Sequence, residues 1–176
     1  MLEIAPLAVA GIDLAPGSEP IAGTVRGLAV TLAPAPAKTR WSLRAKDPAL
    51  LAAALGRALP EPIGTQLDGI ARLGPDEWYA MLPAGTVPPA ASGQPLSLVD
   101  VSARAVGFTV QGPGAVAALT RGCPLDLAQF SPGRATRTVF ETVEIQIWAM
   151  APEQFHVEVW RSFAPWLWHT LAEAID

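Results

Sequence analysis

The sequence predicts an α+β fold made of antiparallel sheets with helices and built as a pseudo-duplicate. Three observations predict it. Apolar residues fall in short runs that alternate with polar ones and are bounded by Pro, Gly and Asp, the period-two signature of half-buried strands. Few segments carry an apolar stripe at helical spacing, and the regular βα alternation of a doubly wound parallel sheet is missing. The order strand, helix, two strands, helix in the second half also partly echoes the first. The 176 residues fit one domain: an extended N-terminal segment over 1–22, a first half over 23–95 and a second half over 96–176. A chain of this size buries enough core to fold without disulfide or metal.

Taken in order, the first twenty residues mix Ala, Pro and Gly with Ile4, Leu7, Val9, Ile12 and Leu14, which predicts an extended segment laid on the domain. Thr24 to Leu32 reads as a strand. So does Lys38 to Arg44, where Thr39, Trp41 and Leu43 alternate with Arg40, Ser42 and Arg44; Ala33-Pro34-Ala35-Pro36 turns between them. Asp47 then Pro48 is a cap followed by a first-turn proline, and Leu51, Ala54, Leu55, Ala58 and Leu59 predict a helix ending near Pro60. Ile70 to Leu73 and Trp78 to Leu82 form a hairpin around Gly74-Pro75-Asp76-Glu77. In the second half, Leu96 to Val101 and Val106 to Val110 read as strands, and Gly112-Pro113-Gly114 opens a short Ala-rich helix that Gly122 ends. Thr138 to Trp148 and Gln154 to Trp160 pair around Met150-Ala151-Pro152-Glu153, and Ser162 caps a last helix over 163–175.

Composition narrows the function classes. Charged residues make up 16% of the chain, against about a quarter in ordinary soluble proteins, while 51% are apolar. A surface so poor in charge implies a large contact with another protein. The net charge of −4, with no cluster of Lys or Arg, argues against nucleic acid as a partner. A lone Cys123, and an N-terminus with Glu3 and no basic residue before its apolar stretch, lead us to expect a cytoplasmic protein. The uncharged run Trp78 to Val99 is broken by Pro83, Pro88, Pro89 and Pro95, so no membrane span is expected there.

No constellation points to catalysis. Gly112-Pro113-Gly114 lacks the spaced glycines of a dinucleotide fingerprint and the Lys of a phosphate loop. His156 and His169 are the only histidines, and Glu144, Glu158 and Asp126 lie in separate segments without metal-ligand spacing. His156 alternates with Glu158 on the polar side of a strand, where a solvated or interface role is expected. Cys123 reads as a buried thiol, and Asp76-Glu77 as solvated turn carboxylates. Catalytic, cofactor-binding and metal-binding residues are therefore expected to be absent.

The tryptophans say more. In 163–175, Phe163, Trp166, Leu167, Thr170, Leu171 and Ala174 share one helical face, while Trp168, Ala172 and Ile175 share another. Trp148 and Trp160 fall on strand faces otherwise held by Glu144, Gln146, His156 and Glu158. These side chains belong either to the core or to a partner surface; Trp148, Trp160, Arg161 and Trp168 are the candidate interface. On the interface reading, Trp168→Asp weakens assembly and leaves the domain folded.

Leu73-Gly74-Pro75-Asp76-Glu77-Trp78, Val99-Asp100-Val101-Ser102, Gly112-Pro113, Gly122-Cys123-Pro124-Leu125-Asp126-Leu127, Arg137-Thr138 and Arg161-Ser162-Phe163-Ala164 together resemble, in order and spacing, the gamma subunit of heterotetrameric sarcosine oxidase. The resemblance runs from about Ile70 to Leu171. It implies kinship with the folate-binding domain of aminomethyltransferases, hence the duplicated α+β fold, and an accessory role without catalytic residues. It further implies larger alpha and beta subunits and a small delta subunit as partners. FAD, FMN, NAD and tetrahydrofolate would be handled elsewhere in a complex that demethylates sarcosine to glycine. Arg137 and Arg161 are expected to pair with carboxylates of this chain or of a partner. The competing expectation is a stand-alone domain that itself binds a folate or acts as an aminomethyltransferase.

Overall fold

The computed structural model describes residues 19–89 and 93–176; the extended segment expected at the N-terminus falls largely outside them. Strands β1 (Ile21–Val25) and β2 (Leu28–Pro34) form a hairpin where one strand was expected. Arg26 and Gly27, with φ of 53° and 77°, make a two-residue turn whose twist suits paired strands. After β3 (Lys38–Ala45), the Asp47 carboxylate accepts the Ala49 N–H and starts α1 (Pro48–Leu55). That helix ends before Pro60 because Gly56 takes a left-handed φ of 64° and turns its N–H back onto the Ala52 and Ala53 carbonyls. Four strands follow: β4 (Gln66–Leu67), β5 (Ile70–Arg72), β6 (Glu77–Pro83) and β7 (Leu96–Asp100).

The second half comprises β8 (Ala105–Gln111), α2 (Ala115–Leu119), β9 (Ala135–Phe140), β10 (Val143–Ala151), β11 (Gln154–Trp160) and α3 (Ala164–Ala172). A positive φ at Glu141 divides the single strand expected from Thr138 to Trp148 into β9 and β10. Ser162 caps nothing; a 3-10 turn over Arg161–Phe163 leads into α3, with Pro165 in its first turn.

All pairings are antiparallel, in a six-stranded sheet ordered β1-β2-β8-β11-β10-β9 and a five-stranded sheet ordered β4-β5-β6-β3-β7. Each sheet repeats one plan. A strand followed by a helix, β3 then α1 or β8 then α2, pairs with the last strand of a three-stranded meander. This is the pseudo-duplicated antiparallel α+β architecture that the element order predicts. The two-residue period then sorts the side chains. Leu32, Phe108, Ile147, Phe155 and Val157 pack with Leu119 of α2 and Leu167, Trp168 and Leu171 of α3. Trp41, Leu43, Trp78 and Ala80 pack with Leu51 of α1. The remaining sheet faces meet each other through Ala71, Tyr79, Met81, Val101, Ala135 and Trp148. Among the described residues no helix is long and apolar enough to cross a membrane.

Candidate functional site

Among the described residues, the buried charges lie in the seam between the sheets. On β11, His156 and Glu158 alternate with the core residues Phe155, Val157 and Val159 and so point at the five-stranded sheet. On β3, Arg40 alternates with Thr39 and Trp41 and points back. The Arg40 guanidinium donates from Nε to Glu158 Oε2 at 2.5 Å and from Nη2 to Oε1 at 2.8 Å, a two-pronged geometry that only arginine offers a carboxylate. His156 Nε2 lies 2.6 Å from the same Oε1, and Arg40 Nη1 donates to the Lys38 carbonyl at 3.0 Å. Burial by itself would raise the Glu158 carboxyl, which is 2% exposed. Hydrogen bonding to His156 and Arg40, with the favourable charge they bring, outweighs it and holds Glu158 below the usual carboxylate range. Burial, and after it the Glu158 charge, pushes the neighbouring Tyr79 phenol far up, so it stays a neutral hydroxyl.

Two local devices make room for this cluster. Asp100 accepts the Ser102 N–H at 2.8 Å, and Ser102 Oγ in turn accepts the Arg40 N–H at 2.9 Å, so Val99-Asp100-Val101-Ser102 positions β3 backbone. Gly107 of β8 pairs with Glu158; a Cβ there would lie 2.5 Å from His156 Cε1 and 2.8 Å from Glu158 Oε1. Because Arg40 fixes the carboxylate, neither group can swing aside. Gly107→Ala is therefore expected to destabilise the fold by about 2–3 kcal/mol, read as a fall of about 5–10 °C in Tm by calorimetry.

Towards its open edge the seam becomes a cleft of about 180 Å³, lined in part by Ser42, Tyr79, Arg104, Gln146, Glu158 and Trp160. Arg137 of β9 pairs with both Glu77 oxygens on β6, and Arg44 adds a contact to Glu77 at 3.3 Å. Two of the motifs that carried the sequence resemblance thus meet across the sheets. The Arg104 guanidinium lies 4.6 Å from the centre of the Trp160 ring, within cation–π range.

The four candidate interface residues separate. Trp148 is 0% and Trp168 3% exposed; Trp148 fills the seam against Tyr79 and Trp168 packs on Phe108 beneath α3. Neither is available to a partner. The polar strand face that suggested availability is covered at Trp148 by the chain's own second sheet, and α3 buries residues of both its apolar stripes, Leu167 and Leu171 of one and Trp168 of the other, against the six-stranded sheet. Trp160, 49% exposed, stays on the surface and lines the cleft, and Arg161 next to it in sequence is exposed. His156 is buried, not solvated, and Glu77 is an inter-sheet ion-pair partner, not a free turn carboxylate. Arg161 has no ion-pair partner among the described residues. Sequence reasoning missed Arg40, which reads as one more outward residue of an alternating strand. A signal was present: a glycine inside a strand, here Gly107, marks close approach by another group.

No protein-family model matches the chain. It is 34% identical over 122 residues to the sarcosine oxidase subunit gamma of an Arthrobacter species, an alignment covering 62% of this chain; the chain spans 60% of that relative's length. It is 29% identical over 164 residues to the sarcosine oxidase subunit gamma of Corynebacterium sp. strain U-96, covering 84% of this chain and 80% of that protein. Among solved structures, it matches a chain of the heterotetrameric sarcosine oxidase from Corynebacterium sp. U-96 with a TM-score of 0.74 and 26% identity, over 86% of each chain. The aminomethyltransferase T of the glycine cleavage system from Bartonella henselae shares the fold, with a TM-score of 0.63 and 16% identity over 82% of this chain and 46% of that one. In sequence and in fold, this chain is a relative of the gamma subunits of sarcosine oxidase.

Proposed function

We propose that this chain is the accessory, non-catalytic gamma subunit of a heterotetrameric sarcosine oxidase. The carrying observation is the fold shared over 86% of both chains with a member of such an assembly. On this reading the complex works in the cytoplasm, demethylates sarcosine to glycine and passes the one-carbon unit to tetrahydrofolate. FAD, FMN and NAD then sit on the other chains, the larger alpha and beta subunits and the small delta subunit. The chemistry of the seam supports an accessory role. The Glu158 oxygens are occupied by Arg40 and His156, so this carboxylate braces the two sheets. The cleft of about 180 Å³ is smaller than the roughly 300–1,000 Å³ of ordinary ligand sites, which gives no support to the stand-alone folate-binding alternative.

The partner surface on this reading holds Trp160, which lines the cleft, and the exposed Arg161 next to it in sequence. Trp160→Ala is expected to leave the chain folded and to weaken assembly about 30-fold, the usual effect of removing a central tryptophan anchor. The decisive test is a tagged pull-down from native cells grown on sarcosine. Recovery of flavin-bearing larger chains supports the proposal, and recovery of this chain alone overturns it.

A further inference from the structure

The accessory role leaves the cleft at the open edge of the seam without a task. It is walled by β3 and β6 of one sheet and by β10 and β11 of the other. Three carboxylates line it, and each already has an arginine: Glu158 is held by Arg40, Glu77 by Arg137 and Arg44, and Glu144 lies 3.6 Å from Arg137 Nε. Arg104 also lines the cleft, yet it has no ion-pair partner among the described residues. It is nonetheless held in place, because its guanidinium lies over the Trp160 ring at 4.6 Å, and a guanidinium on a ring face keeps its N–H edge available to an acceptor. Tyr79 is close enough for the Arg104 charge to bear on its hydroxyl, which burial and Glu158 keep neutral and so able to donate. Ser42 adds a second hydroxyl to the lining. Gln146 Oε1 is buried without a hydrogen-bond partner among the described residues, so this amide of the cleft wall is not tied into the seam and can turn its N–H groups to a bound anion.

We infer that the cleft binds the carboxylate of a small, flat monoacid, with Arg104 as its charge partner, the Tyr79 and Ser42 hydroxyls as donors and the Trp160 ring as a wall. The charge sets the class. One unpaired guanidinium among three neutralised carboxylates suits a single negative charge, whereas a dianion such as phosphate would be repelled by Glu77, Glu144 and Glu158. The size sets the body: about 180 Å³ holds more than a lone carboxylate and less than an ordinary large ligand. Every group invoked belongs to this chain, so the inference stands apart from the functional reading above, and its failure would leave that reading untouched.

The test is a titration of the full chain at constant ionic strength, followed by tryptophan fluorescence. Trp160 is the only one of the six tryptophans that is exposed, so a ligand against its ring changes the emission directly. Benzoate is the probe, benzamide its neutral isostere, and N-acetylglutamate α-amide a stand-in for a carboxylate carried by another protein. Benzoate is expected to saturate with a Kd of about 1 mM, ordinary for so small a ligand in a single-charge site, and benzamide to bind at least ten-fold more weakly. Arg104→Gln, an exposed change that leaves the thermal transition within a few degrees of the wild type, is expected to weaken benzoate about ten-fold, and Arg104→Lys less, since it keeps the charge and loses the fork. No saturation by about 20 mM benzoate, some twenty times that Kd, overturns the inference. So does equal binding of benzamide, or a wild-type affinity in Arg104→Gln. Tighter binding of N-acetylglutamate α-amide than of benzoate assigns the cleft to a protein-borne carboxylate and overturns the free acid.

Discussion

Trp168→Asp is expected to yield no folded chain. Its indole is 3% exposed and tilts against Phe108 with ring centres 5.4 Å apart, deep between α3 and the six-stranded sheet. Removing a buried tryptophan costs about 3–5 kcal/mol, and putting an unpaired carboxylate in its place adds several more. The total reaches the 5–15 kcal/mol by which domains are stable at all. Loss of near-ultraviolet circular dichroism and of a cooperative thermal transition is the expected readout. The interface reading of the same residue requires the opposite, a folded chain that fails to assemble. Trp160→Asp supplies the contrast: on a half-exposed ring at the cleft mouth, it leaves the thermal transition within a few degrees of the wild type.

Arg40→Met is expected to destabilise the fold by about 3–5 kcal/mol, because it strips Glu158 of two hydrogen bonds and its strong charge partner while leaving the carboxylate buried. For a chain of this size that is a fall of about 6–20 °C in Tm. Arg40→Met with Glu158→Gln should recover much of the loss, since no lone charge is then buried and the glutamine can still meet His156. The pH dependence follows in sign. Glu158 is held below its ordinary value of 4.5, so its contribution is fully present above that value. It is lost as pH falls through the depressed value in the folded state. The wild type should therefore lose stability steeply on the acid side, and the double variant less so. Melting curves from neutral pH to about pH 3 would show whether the two slopes differ.

The sequence made several parts of this fold legible, and each was a local matter. Asp47-Pro48 starts α1 and Gly112-Pro113-Gly114 leads into α2 because caps and prolines act within one turn. The hairpin between β5 and β6 follows from Gly74-Pro75-Asp76 in the same way. The breaks at Arg26-Gly27 and Glu141 were less legible, since neither Arg nor Glu advertises the left-handed backbone it adopts there.

What the sequence by itself determined is the alternation along each strand, the antiparallel α+β class with its repeated plan, and a resemblance to sarcosine oxidase gamma subunits. Which face of each strand meets water was decided only by tertiary structure. Glu144, Gln146, Trp148, His156, Glu158 and Trp160 share one face of two neighbouring strands, and alternation cannot say where along that face a covering sheet stops. Sheet-on-sheet packing buries Trp148, His156 and Glu158 while leaving Glu144 and Trp160 at the open edge. The burial of His156 and Glu158 is possible because Arg40, 118 residues earlier than Glu158, arrives from the opposite sheet to neutralise the carboxylate. That pairing is a long-range coincidence of registers, and no local pattern records it.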